Sequence, residues 1–426
     1  MYIDELYKLY LENPSVETDT RKIKQGDIFF ALKGPNFNGN HYAQAAIDAG
    51  ASWSIVDEST GVANNKIIHV DDCLQTLQQL AKKHREQFNI PFIAITGSNG
   101  KTTTKELIHA VLSSTFKTYT TTGNLNNHIG VPLTILKIKK DAAFAVIEMG
   151  ANHMKEIAGY CTYAMPTHGL ITNCGKAHLE GFGSEENIKK AKGELFDYLR
   201  EYNGNAFVFW DYDYLRGMSN GISNIITYGT TDEVQYAGQV KNHSELLEVT
   251  LLKGANIKEI RTQMVGCYNL PNVLAAVAVG KTFNIPDENI KSSLENYLPS
   301  NSRSQLIEKD SNKIILDAYN ANPSSMKVAI ENFAMMHGEK KVLMLGGMME
   351  LGKDSIAEHD KLVSQINQNK WQQVVLVGND FKNLPENFIH FNNVSEAKTW
   401  LSKQGFKNTQ ILIKGSRSMQ MEKVLE

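Results

Sequence analysis

Lys101 and Thr102 lie inside ITGSNGKTTTKE (residues 95–106), between the apolar run IPFIA and LIHAVLSS, a stretch of helical spacing. Strand, glycine turn and helix in that order build a cradle for phosphate. Gly97 and Gly100 let the backbone turn tightly, so that N–H groups along Gly97, Ser98, Asn99, Gly100 and Thr103 converge on an anion. Lys101 then neutralises the β- and γ-phosphates, Thr102 offers its hydroxyl to Mg²⁺, and the helix N-terminus adds its positive end. The general pattern G-x-x-x-x-G-K-[ST] has a glycine where Ile95 stands. The plain alternative is a glycine turn with Lys101 in solvent, but the coincidence of strand, turn, GKT and helix favours phosphate.

Magnesium on a nucleotide needs a carboxylate as well. Glu148 ends the run AFAVIE, which places it at the carboxyl edge of a central strand, where open α/β sheets bind ligands. His178, in TNCGKAHLEGFG, follows another strand and is a second candidate ligand, although a lone histidine is usually structural. The helix NIKKAKGELFDYLREY holds an oddity. Ile188, Ala191, Leu195 and Leu199 form one apolar stripe, and Lys192 falls within it while Lys189 and Lys190 point away. A buried ammonium is costly, so such a lysine is paired, neutralised or modified. A neutral amine can take up carbon dioxide as a carbamate, an anion suited to magnesium. The competing account is snorkelling, with the head in water, and helix geometry alone favours it.

These residues need a framework. Up to about residue 85 the chain holds short elements: GDIFFAL, HYAQAAIDAGA, WSIVD, KIIHV and LQTLQQLAKKHREQF. NIP (89–91) is a joint. From there to about 298, FIAIT, AAFAVIEM, HGLITN and NAFVFW alternate with amphipathic helices, which predicts a mostly parallel sheet covered by helices. NYLPSNSRSQ (296–305) is a second joint, and KIILDAY, KKVLMLGG, QQVVLVG and TQILIKG predict a smaller α/β unit beyond it.

A chain of 426 residues with 42% hydrophobic content is expected to fill two or three cores. Lys plus Arg number 44 against 46 Asp plus Glu, with no long block of either sign, so neither nucleic acid nor an anionic membrane is expected as partner. Cys73, Cys161, Cys174 and Cys267 are scattered and form no CxxC pair, which fits a reducing cytoplasm. The first residues do not resemble a secretory signal and no apolar run has the length of a membrane span.

Eleven motifs in order resemble the Mur ligase family over nearly the whole chain: DTRKIKQGDIFFALKGPNFNGNHY, TGSNGKTTTK, NLNNHIGVPLT, IEMGANHMKEI, ITNCGKAHLEGFGS, AKGELF, GCYNLPNVLAA, SRSQ, LDAYNANPSSM, GGMMELGKDS and IKGSRSM. TGSNGKTTTK is this family's own phosphate loop, which accounts for Ile95. The resemblance implies an α/β protein of three domains. These are an N-terminal α/β UDP-sugar domain (1–85), a central P-loop ATP-binding parallel sheet with flanking helices (86–298), and a Rossmann-like C-terminal domain (299–426) for nucleotide closure and dipeptide binding.

It further implies ATP with one or two Mg²⁺, the metal held by Thr102, Glu148, His178 and a carbamylated Lys192. Lys101, Lys192, His178 and Glu148 are its catalytic set. Asn269 and Asn272 fall near the adenine, with Tyr268 replacing the commoner histidine. Arg303 and Asp317 fall at phosphate and ribose, with Ser302 where glycine is usual. Thr20, Arg21, Lys33, Gly34, Asn38 and His41 lie where the family holds the uridine diphosphate sugar, and Asn126 and Asn127 are further substrate positions. Their ordinary alternatives are a polar loop, a surface arginine and a strand-end acid. Asn320, Ala321, Asn322 and Pro323 match the branch that adds a dipeptide, whereas sister ligases carry histidine there. The Asp-Asn-Pro-Arg string of the diaminopimelate-adding sister is absent.

The implied reaction passes the γ-phosphoryl of ATP to the carboxylate of a UDP-MurNAc-tripeptide, and the amine of D-Ala-D-Ala attacks the acyl phosphate. A cytoplasmic monomer is expected. Three rivals remain at this point. Folylpolyglutamate synthase runs the same chemistry, but its phosphate loop lies near the chain start, whereas about 90 residues precede it here. A P-loop switch or motor leaves Lys192 and YNANP without a role, and a non-catalytic binding module has no use for a buried lysine beside a metal-type carboxylate.

Overall fold

The computed structural model describes residues 3–242, 245–300 and 302–426; Asn301, inside the expected second joint, lies outside them. Three main sheets follow one another along the chain. The first is four-stranded and parallel: Val16–Glu17, Ile28–Phe30, Trp53–Val56 and Ile67–His69. A two-stranded hairpin, Lys33–Gly34 with Phe37–Asn38, stands beside it.

The second sheet has nine strands, in the order Glu259–Val265, Leu246–Lys253, Tyr236–Val240, Asn224–Gly229, Asn205–Phe209, His168–Ile171, Phe92–Thr96, Phe144–Glu148 and Thr118–Thr120. Phe92–Thr96 and Phe144–Glu148 are buried at every position, as strands covered by helices on both faces must be. They pair in parallel with Ile95 opposite Glu148. The acid and the start of the phosphate loop therefore emerge at one sheet edge.

Not everything in this span is parallel. Leu246–Lys253 pairs antiparallel with both its neighbours, and its burial alternates along the strand. One face is solvated, so only every second residue had to be apolar, and the short-run pattern of the parallel strands does not extend to it.

The third sheet has six strands. Asn312–Asp317, Lys341–Gly346, Gln373–Val377 and Gln410–Lys414 are the four expected ones, joined by Gln305–Lys309, which is antiparallel, and by the short edge strand Ile389–Phe391.

The apolar cores are distributed differently from the sheets. One cluster runs without a break from Leu6, Tyr10 and Leu80 of the first unit through Phe92, Ile108 and Phe207 to Leu294. The helix Cys73–Arg85 joins the two sheets. Arg85 donates from Nε to Ala164 O at 3.0 Å and from Nη2 to Met165 O at 2.9 Å, with its guanidinium 3.7 Å over the Phe92 ring. His84 Nε2 is 2.8 Å from Ile138 O. The C-terminal sheet has a cluster on each face, one of which also takes in Val265 of the central sheet. No helix among the described residues is long and apolar enough to cross a membrane.

Candidate active site

The phosphate loop is held in shape by the strand next to it. Ser98 N and Asn99 N donate to Asn173 O and Oδ1 at 2.8 and 3.1 Å, Thr172 Oγ1 donates to Asn99 O at 2.6 Å, and Ser98 Oγ to Gly175 O at 2.6 Å. Gly97 has φ 144° and Gly100 φ 81°, and a Cβ on Gly97 would stand 2.0 Å from Thr172 Oγ1. Gly97→Ala should therefore abolish measurable ATP binding by calorimetry and destabilise the fold by about 1–3 kcal/mol through strained backbone.

Lys101 starts the helix Lys101–Ser113 and folds back over the loop, donating to Gly97 O at 2.7 Å and Ser98 O at 3.1 Å. Burial pulls its pKa down, and the nearby Arg303 charge adds to this while Glu148 opposes it. An arriving phosphate supplies the missing counter-charge.

Glu148 is 1% exposed. Its Oε1 accepts from Thr102 Oγ1 at 3.2 Å and Asn126 Nδ2 at 2.7 Å, while its Oε2 is buried with no partner in the protein. An orphaned carboxylate oxygen beside a threonine hydroxyl is a hard-oxygen donor pair of the kind Mg²⁺ takes. His178 Nδ1 lies 2.5 Å from Glu350 Oε2, which leaves Nε2 as the ring nitrogen available to an ion. Among the described residues no three His, Cys, Asp or Glu side chains gather closely enough to hold an ion by themselves. The residues fit magnesium whose remaining ligands are phosphate oxygens and water, which is how this ion is usually held.

Lys192 is 1% exposed on the helix Glu185–Glu201, so its head does not reach water as snorkelling would require. Its Nζ donates to Ala151 O at 3.0 Å and sits 5.1 Å over the Phe182 ring. Burial first, and the Lys101 charge second, lower its pKa to about 7.

A cavity of about 740 Å³ brings these elements together. Of the expected site residues, Ser98 to Thr103, Asn126, Asn127, Glu148, His178, Asn269, Asn272, Arg303, Asp317, Asn320 and Asn322 line it. Gly97 shapes the loop from behind, and Lys192 lies beyond Ala151, which does line the cavity. The amides near the expected adenine position are internally tied: Asn272 Nδ2 donates to Asn269 Oδ1 at 2.9 Å, and Thr104 Oγ1 donates to Asn272 Oδ1 at 3.0 Å.

The C-terminal unit forms the opposite wall. Arg303 lies flat on Tyr319, 3.6 Å from the ring centre, with a buried Nε that has no partner. Ser302 has φ 55°, so serine takes up the left-handed backbone for which glycine is usual. Asp317 accepts from Lys414 Nζ at 2.5 Å and from Ser304 N at 3.2 Å. Asn322 caps the helix Pro323–Met335 and donates from Nδ2 to Asn99 Oδ1 of the phosphate loop at 2.8 Å.

The first-unit candidates lie apart from this cavity. Arg21 holds Asp19 through Nε and Nη2, both at 2.8 Å. Lys33 is 3.2 Å from Asp57 and 3.1 Å from Glu58, and Asn38 donates to Glu58 Oε2 at 2.6 Å. Gly34 packs under the Phe37 ring, Thr20 is half-buried and His41 is exposed.

Sequence reasoning did not single out Tyr319, Lys414, Asn173 or Glu350. Lys414 carried a usable signal, a charged residue ending the wholly buried strand Gln410–Lys414. Glu350 carried none, because only tertiary contact brings it to His178.

Known proteins resemble this chain in sequence and fold along its whole length. The model of the Mur ligase middle domain matches residues 95–280, that of the Mur ligase glutamate ligase domain 302–417, and that of the Mur ligase family catalytic domain 14–85. The UDP-N-acetylmuramoyl-tripeptide–D-alanyl-D-alanine ligase of Bacillus subtilis is 35% identical over 445 residues, covering 100% of this chain and 96% of its own. The crystal structure of MurF from Acinetobacter baumannii superposes with a TM-score of 0.87 at 30% identity, covering 96% of this chain and 92% of that one. MurF ligase from Thermotoga maritima in complex with ADP gives 0.88 at 26% identity, with 97% of each chain covered. Matched in all three of its units and similar along its whole length, this chain belongs to the Mur ligase family.

Proposed function

We propose that the chain joins D-alanyl-D-alanine to a UDP-N-acetylmuramoyl tripeptide at the expense of ATP, giving the pentapeptide, ADP and phosphate for peptidoglycan synthesis. The observation that carries this is the bond from Asn322 to Asn99. It sets YNANP, the stretch that marks the dipeptide-adding branch, directly on the phosphate loop, where an acceptor amine has to meet an activated acyl group.

A carboxylate does not react with an amine to give an amide; the two form a salt. Activation transfers the γ-phosphoryl group to a carboxylate oxygen and releases ADP. The amine then attacks the acyl carbon, its proton departs, and the C–O bond to phosphate breaks. Two anions must first approach each other, and the residues around the cavity answer that problem with positive charge. Lys101 faces the phosphates, and Arg303, stacked on Tyr319, closes over them from the other unit. Asp317, held by Lys414, receives the ribose, and Asn269 and Asn272 border the base. Bound Mg²⁺ would add charge neutralisation between the two anions. Thr102, Glu148 and His178 would hold it, with Lys192 as its carbamate, whose neutral precursor amine is what burial favours.

Acyl phosphates hydrolyse, so water must be kept out while the amine docks. Lys176 N donates to Ser324 Oγ at 2.8 Å and Asn99 meets Asn322, which closes the seam between the central and C-terminal units. We assign residues 1–85, 86–298 and 299–426 as the three domains. Thr20, Arg21, Lys33, Gly34, Asn38 and His41 are taken to hold the sugar nucleotide, with Asn126 and Asn127 on its peptide arm and Asn320 and Asn322 on the dipeptide. The working form is a cytoplasmic monomer that engages neither membrane nor nucleic acid.

The test is phosphate release together with isotope transfer. Release should require both the sugar nucleotide and D-Ala-D-Ala, and ¹⁸O placed in the tripeptide's terminal carboxylate should appear in the phosphate. Turnover without either substrate would assign a nucleotide switch instead.

A further inference from the structure

Two left-handed residues face each other across the seam between the central and C-terminal units. His178 has φ 54° and Glu350 φ 61°. A residue with a Cβ does not stay in that conformation unless its surroundings hold it. Here each side of the seam holds the other. The Glu350 carboxylate lies 2.5 Å from His178 Nδ1, and the Glu350 carbonyl accepts from Glu180 N at 3.0 Å. Gly352 lies against the Glu180 side chain. Leu179 packs against the C-terminal apolar cluster that contains Leu351, itself 3% exposed.

The segment carrying His178 is thus gripped by the C-terminal unit. Thr102 and Glu148, in contrast, are fixed to each other and to Asn126 wholly within the central unit. The candidate cation donors fall into two halves, and only one of them depends on how the two units meet.

We propose that Glu350 is a positioning residue for His178, brought onto it as the C-terminal unit closes, so that the His178 half of the cation site is assembled only in the closed molecule. The Thr102–Glu148 half exists in either state. Cation binding and closure are then linked: whatever favours one favours the other. The first half would be open to a cation arriving with the nucleotide, and the second waits for the C-terminal wall. This rests on His178 being a cation ligand, and the experiment keeps the two claims apart.

Mn²⁺ serves as the probe, its binding to the full chain with a non-hydrolysable ATP analogue counted by electron paramagnetic resonance. His178→Ala identifies the ions that depend on His178. Glu350→Gln keeps the shape and removes the charge. Glu350→Asn suits a left-handed backbone but falls one methylene short of the imidazole. Both are expected to weaken the His178-dependent Mn²⁺ by about tenfold, the lower end of the effect of removing an outer partner of a metal-binding histidine. Mn²⁺ that is lost in Glu148→Gln should be unchanged in both. If His178→Ala leaves Mn²⁺ binding intact, the cation reading of His178 fails. If His178→Ala weakens it and the Glu350 variants do not, the pair is an ordinary surface ion pair and the positioning role is overturned. Loss as complete as in His178→Ala would make Glu350 a ligand itself, which also overturns it.

Discussion

Lys101→Met lowers kcat/KM for ATP by roughly 10²–10³, about 3–4 kcal/mol of transition-state stabilisation, while the Kd for the sugar nucleotide stays within twofold. Methionine keeps the length and most of the volume of lysine, so the loop bonds from Asn173, Thr172 and Gly175 survive and the helix Lys101–Ser113 still starts at the same residue. What goes is the ammonium, which already folds over the loop toward Gly97 O and Ser98 O. Its charge matters most when the γ-phosphoryl group is shared between two oxygens that would otherwise repel. The first-unit residues expected to hold the sugar nucleotide are far from the loop in sequence and line no part of its cavity. Phosphate-release kinetics and calorimetry with each substrate separate the two effects. Equal loss of affinity for both substrates would mean that the substitution had damaged the fold instead.

Lys192→Ala should be nearly inactive, again by roughly 10²–10³, and partly rescued by formate or acetate. The alanine leaves a space behind Ala151 that a small carboxylate can occupy, standing in for the lost carbamate. Lys192→Met should be equally inactive and not rescued, because its side chain fills that space. The pH dependence has a definite sign. Only the neutral amine attacks carbon dioxide, and with a pKa lowered to about 7 its fraction grows as pH rises through 7. Bicarbonate-stripped enzyme should therefore regain activity faster at pH 8 than at pH 6 when dissolved carbon dioxide is held equal. Stability follows the same logic. Between about pH 7 and the ordinary lysine range the unfolded chain binds the extra proton, so the stripped enzyme gains stability with rising pH in that window, and Lys192→Met lacks this component. Full activity of Lys192→Ala in ordinary bicarbonate would remove the carbamate from the mechanism.

The parts of the site legible in the sequence were those whose chemistry is local. The phosphate loop announces itself because turn, cation and hydroxyl are adjacent, and Glu148 because a fully apolar run ends in an acid. Lys192 was legible as a misfit in a helical stripe; its burial excludes a head in water, and only the fold supplies that. Residues whose role is made by another unit were not legible. Glu350 meets His178 across 172 positions of chain, and Lys414 meets Asp317 across neighbouring strands that are 97 residues apart. The antiparallel end of the large sheet was missed for a different reason. Its strands bury one face only, and a half-apolar alternation carries less signal than the continuous runs of the buried parallel strands.

The unbroken core that unites the first two sheets has a mechanical consequence. With Tyr10, Leu80 and Phe92 in one apolar mass and Arg85 clamped on Phe92, little freedom remains at the junction before residue 92. The stretch around Pro299, which leads to a sheet whose buried clusters share only Val265 with the central unit, is left as the natural pivot. The machine is then two jaws and one elbow. On the proposed function, the lower jaw would hold the sugar nucleotide and the phosphate loop in fixed register, and the upper jaw would bring the dipeptide to them.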